Sequence, residues 1–254
     1  MVTEVKPQIL LPDYGYLNRD LAGQQARLTK GKGYRDLSTI CITPMPNEVV
    51  ENDKVIKLTG LPTRVVSALR NLIVPMNQKF TWFPILGMEV GAAYENAIEM
   101  ILANPELSKW KYLLTFEWDN VPPPDGLLKL IEGIDDYDVV GGLYWTKGEG
   151  GQPMIYGDPR DMPRSFRPQV PQQDTLQQAN GLGMGFNLFR LDMFKDSRFE
   201  RPWFKSQQEV GPKGTSIYSQ DLYFYEKAGS LGYRFACDTR VKVGHLDIAN
   251  DFVW

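Results

Sequence analysis

Apolar and polar positions change period along the chain in an orderly way. Ser38–Met45 (STICITPM) predicts a buried strand, stopped by Pro44 and Pro46. Between Thr63 and Ile73, Val65, Leu69, Leu72 and Ile73 recur at helical spacing, and Lys79–Leu86 (KFTWFPIL) returns to a strand rich in aromatics. Glu89–Asn104 carries Val90, Ala93, Ala97 and Ile101 on one face of a helix. A third strand, Lys111–Asn120 (KYLLTFEWDN), leads into VPPPDG, where the prolines end it and Asp125 can cap a helix through Leu127, Leu128, Leu130 and Ile131. Tyr137–Trp145 (YDVVGGLYW) reads as a fourth strand. Strand and helix in alternation predict the α/β class, with a mostly parallel central sheet and helices on both faces.

The pattern is weaker at the start and in two later stretches. Residues 1–36 are polar and broken by Pro and Gly, and read as an N-terminal arm beside a single domain over 37–254. Thr146–Asn180 is too long for an ordinary connection. Met154, Ile155, Tyr156 and Phe166 give it anchors, so it reads as a partly ordered functional loop. Asn180–Leu191 (NGLGMGFNLFRL) resumes as a strand whose glycines point to close backbone approach. After the irregular Glu200–Tyr218 come a helix over Ser219–Gly232 and the strand-like RFACDT and VKVGHL.

Composition narrows the function classes. The 254 residues are 43% apolar and 23% charged, which suits an ordinary folded domain. A net charge of −3 argues against a surface built mainly for nucleic acid. No apolar run is long enough to span a membrane, and the N-terminus lacks the apolar core of a signal peptide. Cys41 and Cys237 match no metal spacing and read as reduced, buried thiols, so a cytoplasmic location is expected.

The chemistry concentrates at a few points. The strand KYLLTFEWDN is apolar through Leu113, Leu114 and Phe116 and ends in Glu117 and Asp119, at the edge where open α/β sheets bind ligands. Two carboxylates at one strand tip repel each other and call for a cation. The single histidine, His245, rules out zinc sites that need paired histidines. No G-x-S-x-G elbow is present to make it part of a serine triad. Taken alone it is more often a satisfied structural residue, although imidazole also suits Mn²⁺ beside carboxylate oxygens. Asp221 opens the helix in SQDLYF; a helix-dipole role accounts for it as well as catalysis does. GLGMGF and GPKGTS fit neither a dinucleotide fingerprint nor a P-loop.

Taken in order, these elements resemble those of the GT-A glycosyltransferases, in particular family-2-like enzymes, over about Ser38 to Leu246. FEWDN is similar to their D-x-D element, NGLGMGF to their glycine-rich acceptor-side strand, SQDLYF to their E-D helix start and VGHL to their C-terminal metal histidine. Two positions depart from the pattern: Glu117 stands where an Asp is usual, and Gln220 where an acid usually precedes the catalytic Asp.

The resemblance implies a GT-A, Rossmann-like fold and a metal-dependent transferase using a nucleotide-diphosphate sugar. It implies that Asp119 and His245 bind Mn²⁺ or Mg²⁺, with Glu117 acting through water or on the donor ribose. Asp221 would be the base for an inverting attack by an acceptor hydroxyl. Thr43 and Pro44 would face the nucleotide, and the segment from Gly181 through Gly183 to Gly185 would line the sugar and acceptor pocket. Trp145 and Trp203 are candidates for stacking on an acceptor ring. A glycan, lipid-linked or protein acceptor is expected, ahead of a modified DNA base because of the net negative charge. The alternatives are a nucleotidyltransferase-like phosphate enzyme, which would need Asp125 as a further metal-binding acid, and a non-catalytic nucleotide-sugar or carbohydrate-binding module.

Overall fold

The computed structural model describes residues 35–51, 54–211 and 214–254. The arm expected over 1–36 therefore lies outside the described residues, apart from Arg35 and Asp36. Seven strands form the central sheet: β1 (Thr39–Met45), β2 (Phe80–Leu86), β3 (Tyr112–Phe116), β4 (Val139–Leu143), β5 (Leu176–Ala179), β6 (Phe186–Arg190) and β7 (Phe235–Lys242). Their order across the sheet is β2-β1-β3-β6-β4-β7-β5. β1 runs parallel to β2 and β3, and β4 parallel to β7. β6 is antiparallel to β3 and β4, and β5 to β7. Hence β1, β2, β3, β4 and β7 run one way, and β5 and β6 the other.

Four α-helices accompany the sheet among the described residues: α1 (Thr63–Asn71), α2 (Val90–Ala103), α3 (Gly126–Gly133) and α4 (Gln220–Ser230). Adjacent strand residues sort into two buried clusters, as a pleated strand requires. Ile40, Ile42, Leu113, Val139 and Phe235 join Tyr94, Ala97 and Ile98 of α2 and Phe224 and Ala228 of α4. Cys41, Leu114, Val140 and Leu188 join Val65 and Ala68 of α1 and Leu127, Leu130 and Ile131 of α3. Phe224 anchors the first cluster, its ring meeting those of Phe189, Phe194, Phe199, Phe204 and Tyr225. Cutting it to Ala would cost roughly 3–5 kcal/mol.

Three local expectations change. The run NGLGMGFNLFRL is not one strand: Gly181–Leu182 pairs antiparallel with Ile155–Tyr156, and β6 starts afresh at Phe186. Asp125 precedes α3 without a side-chain cap bond and instead pairs with Lys129 at 2.8 Å. Thr146–Asn180 is pinned internally, since Asn180 Nδ2 donates to the carbonyls of Asp158 (3.2 Å) and Ser165 (3.0 Å). Arg164 donates to the Gly229 carbonyl at 3.0 Å, so it serves the fold.

Candidate active site

β3 is buried along its whole length: Leu113, Leu114 and Phe116 are apolar, and the Thr115 hydroxyl donates to the Met184 carbonyl at 2.7 Å. The strand ends at Phe116, and the chain then turns through Glu117 and Trp118 into the short strand Asn120–Val121. That strand pairs antiparallel with Gly244–Asp247, setting His245 opposite Asn120. The Leu246 N–H donates to the Asp119 carbonyl at 2.7 Å, which ties the two segments together beside the carboxylate. His245 and Asp119, 126 residues apart in sequence, so become neighbours.

The ring of His245 is fixed. Its Nδ1 lies 2.8 Å from the Trp145 carbonyl, which can only accept, so Nδ1 carries a proton. Its Nε2 lies 3.2 Å from Asp119 Oδ2. In the neutral imidazole two lone pairs then face each other, and only a proton or a metal ion joins them favourably. Burial opposes the charge on His245, but Asp119 more than offsets it and raises the imidazole pKa. Burial likewise opposes ionisation of Asp119, yet His245 and Lys147 hold its carboxyl below the usual range.

Glu117 behaves in the opposite way. Burial, reinforced by the charges of Asp119 and Asp221, pushes it up to about 7, against the pull of a 2.8 Å hydrogen bond from Tyr94 Oη. Its backbone N–H donates to the Gly185 carbonyl at 2.9 Å. Asp221 is buried in the first turn of α4, and that burial raises its pKa even though Ser219 and the Leu222 N–H bond it. Its charge is felt at Glu117 and at Tyr94, Tyr144 and Tyr156. The four expected site residues Glu117, Asp119, Asp221 and His245 therefore form one electrostatic cluster.

The remaining expected residues have structural partners of their own. Thr43 is fully buried near the end of β1, its Oγ1 accepting from Trp82 Nε1 at 2.9 Å, and Pro44 beside it is also buried. Gly183 and Gly185 are buried as well. A Cβ on Gly183 would lie 2.2 Å from Tyr144 Oη, and one on Gly185 would lie 2.6 Å from Asn120 Oδ1. Tyr144 Oη accepts the Gly185 N–H at 2.9 Å, so the glycines make room for a tyrosine of the protein itself. Trp203 is only 5% exposed and its Nε1 donates to the Phe199 carbonyl at 2.8 Å, which removes it as a platform for an acceptor. Asp125, needed by a nucleotidyltransferase reading, is engaged by Lys129.

Sequence reasoning missed three participants. Tyr94 comes from α2, Lys147 from the loop after β4 and Glu51 from the strand Glu48–Glu51. Lys147 pairs with Asp119 Oδ2 at 2.9 Å and with Glu51 Oε1. None carries a motif; only the apolar spacing that buries one face of α2 could have drawn attention to Tyr94.

A metal ion needs several donor atoms converging on one point. Among the described residues no group of three or more His, Cys, Asp and Glu is gathered to hold one. Nε2 and Oδ2 at 3.2 Å nevertheless suit adjacent corners of an octahedron with bonds of about 2.1 Å, whose edge is about 3 Å. The pair fits a cation that takes its other ligands from elsewhere.

Comparison with known proteins bears on the fold. No protein-family model and no curated protein sequence matches the chain. A197 from STIV shares 17% identity over 85% of this chain and 92% of its own, with a TM-score of 0.55. This chain shares its fold with that protein. Further from this chain stand S. aureus TarS 1–349 (14% identity, TM-score 0.43) and the same protein in complex with UDP-GlcNAc (13%, 0.42). Each aligns with 79% of this chain, which spans 57% and 55% of the respective TarS chains. Among the described residues no helix is long and apolar enough to cross a membrane.

Proposed function

We propose that the chain is a metal-dependent glycosyltransferase that moves a sugar from a nucleotide-diphosphate donor to an acceptor hydroxyl, with inversion. The observation that carries this is the pair His245 Nε2 and Asp119 Oδ2, held 3.2 Å apart with Nδ1 already committed to Trp145. Two such donors beside a sheet edge suit Mn²⁺ or Mg²⁺ shared with phosphate oxygens. The two apolar clusters support helices on both faces of the sheet.

Asp119 and His245 would hold the cation, with Glu117 reaching it through water or holding the donor ribose. Bound there, the cation would supply Lewis-acid neutralisation of the departing diphosphate. Asp221 accepts the acceptor hydroxyl's proton at its carboxylate, and burial makes it a stronger base than an exposed Asp. Tyr94 orients Glu117 through its 2.8 Å hydrogen bond. Thr43 and Pro44 face the nucleotide through the end of β1, and the backbone of Gly183 and Gly185 lies behind the sugar. Lipid-linked, glycan and protein acceptors precede a modified DNA base in this reading.

A thermal-shift panel of nucleotide-diphosphate sugars, with and without Mn²⁺, tests it. One donor is expected to raise the melting temperature only when Mn²⁺ is present, because a ligand bound to the native state alone stabilises it. Slow release of free sugar from that donor is the matching sign of turnover. A panel in which no sugar nucleotide stabilises the protein, with or without metal, overturns the reading.

A further inference from the structure

The segment after β4 reaches the proposed metal pair from two sides. Trp145 gives the carbonyl that fixes His245 Nδ1, and two residues later Lys147 sets its ammonium 2.9 Å from Asp119 Oδ2. This is the same oxygen that faces His245 Nε2. Lys147 is held from behind as well: it pairs with Glu51 Oε1 and lies 5.3 Å from the centroid of the Trp118 ring. Glu51 is fixed in turn by the N–H groups of Ile248 (2.9 Å) and Ala249 (3.1 Å) on its other oxygen. The loop is closed at its base by a bridge between Trp145 and Pro153 and by the Thr146 N–H donating to Gln152 at 2.9 Å. Gly148 and Gly150 adopt φ of 96° and 75°, values that favour glycine.

A lysine ammonium is a compact cation, and only 22% of this side chain is exposed. It sits on the carboxylate oxygen that a divalent ion would need, and two cations at contact distance on one oxygen repel strongly. We propose that Lys147 is a built-in counter-ion of Asp119 that the divalent cation must displace, so that cation binding is coupled to release of Lys147. The inference rests on the metal reading above. The anchors at Glu51 and Trp118 keep the released ammonium beside the site, where it is a point-charge partner for a diphosphate.

The test is a calorimetric Mn²⁺ titration of the wild-type chain, Lys147→Met, Lys147→Gln and Lys147→Arg, each first shown to unfold cooperatively. Both neutral variants are expected to bind Mn²⁺ about three- to tenfold more tightly, the value of one partly buried ion pair, while Lys147→Arg stays close to wild type. Displacement itself is read by acetylation with an N-hydroxysuccinimide ester and peptide mass spectrometry. Labelling of Lys147 in the wild type is expected to quicken at least about threefold when Mn²⁺ saturates the site, since the freed amine reacts more readily. Equal or weaker Mn²⁺ binding in both neutral variants, or Lys147 labelling unchanged by Mn²⁺, overturns the counter-ion role and leaves the metal reading standing. If neither the wild type nor any variant binds Mn²⁺, alone or with a nucleoside diphosphate present, the metal reading fails and this inference with it.

Discussion

Two buried acids on neighbouring elements separate structure from chemistry. Glu95, in the middle of α2, is 7% exposed and saturated with donors. It accepts the N–H groups of Trp203 and Phe204 and pairs with Arg201 Nε at 2.8 Å. Every lone pair it turns inward is answered by the segment it holds. Asp119, equally buried, meets among the described residues the ends of His245 and Lys147, and Glu117 two residues before it meets one tyrosine hydroxyl there. Burial alone therefore does not mark a site. What marks it is burial of one acid in the field of others, as Glu117 is raised by burial and by Asp119 and Asp221, with too few donors to settle the matter.

The sharpest way to break this contrast is Asp221→Asn. It should reduce sugar transfer by about two to four orders of magnitude, the usual share of a general base, while leaving donor affinity and melting temperature near wild type. Transfer at the wild-type rate would reduce Asp221 to a helix-end residue. Product configuration read by NMR decides inversion separately.

Glu95→Ala should do the reverse. It strands two buried N–H donors and removes one of the two carboxylates paired with Arg201, the other being Glu99, so it should cost about 3 kcal/mol in chemical denaturation. A stability loss below about 1 kcal/mol would show that those donors find other partners and that Glu95 is not the structural half of the comparison.

Asp119→Asn and His245→Ala should each weaken Mn²⁺-dependent donor binding by at least the roughly 10- to 100-fold that loss of a merely supporting partner costs. Neither should unfold the protein. Native Mn²⁺-dependent affinity in both variants would remove them from the metal site.

The smallest effect is a slope. Glu117 titrates at about 7 in the folded chain, above its ordinary 4.5. Between those values the native state binds more protons than the unfolded one, so this contribution is fully present below about pH 4.5 and is lost as pH rises through about 7. Asp119, whose pKa is lowered, has the opposite sign: its contribution holds above the ordinary Asp range and is lost on acidification. In chelator-treated protein, Glu117→Gln should therefore flatten the fall of melting temperature across pH 5–7. An unchanged slope would mean that Glu117 is solvated.

The sheet was legible because its strands write their burial into the sequence: TICITPM and YLLTF are buried at every position. The acids at the end of the third strand were legible for the same reason, since a charge directly after such a run must emerge at an edge. Lys147 and Glu51 were not, because their meaning lies in contacts distant in sequence: Lys147 meets Asp119, 28 positions before it, and Glu51, 96 positions before it. The glycines of NGLGMGF signalled close approach correctly, but periodicity could not say that the approaching group was Tyr144. Trp203 misled because an aromatic in an irregular stretch looks available, and nothing local shows that Glu95 draws its backbone into the core.

The fit of Tyr144 between Gly183 and Gly185 also makes these positions evolve as a set. A methyl group at Gly183 would sit 2.2 Å from Tyr144 Oη and 2.8 Å from Met154 Cε, so a mutation there is barred while the tyrosine keeps its size. Shrinking Tyr144 first opens the space and gives up the hydroxyl that accepts the Gly185 N–H. The order of substitution therefore matters: a lineage or a mutagenesis library reaches side chains at Gly183 through changes at Tyr144, and single-site scanning would score as forbidden a residue that the right background permits.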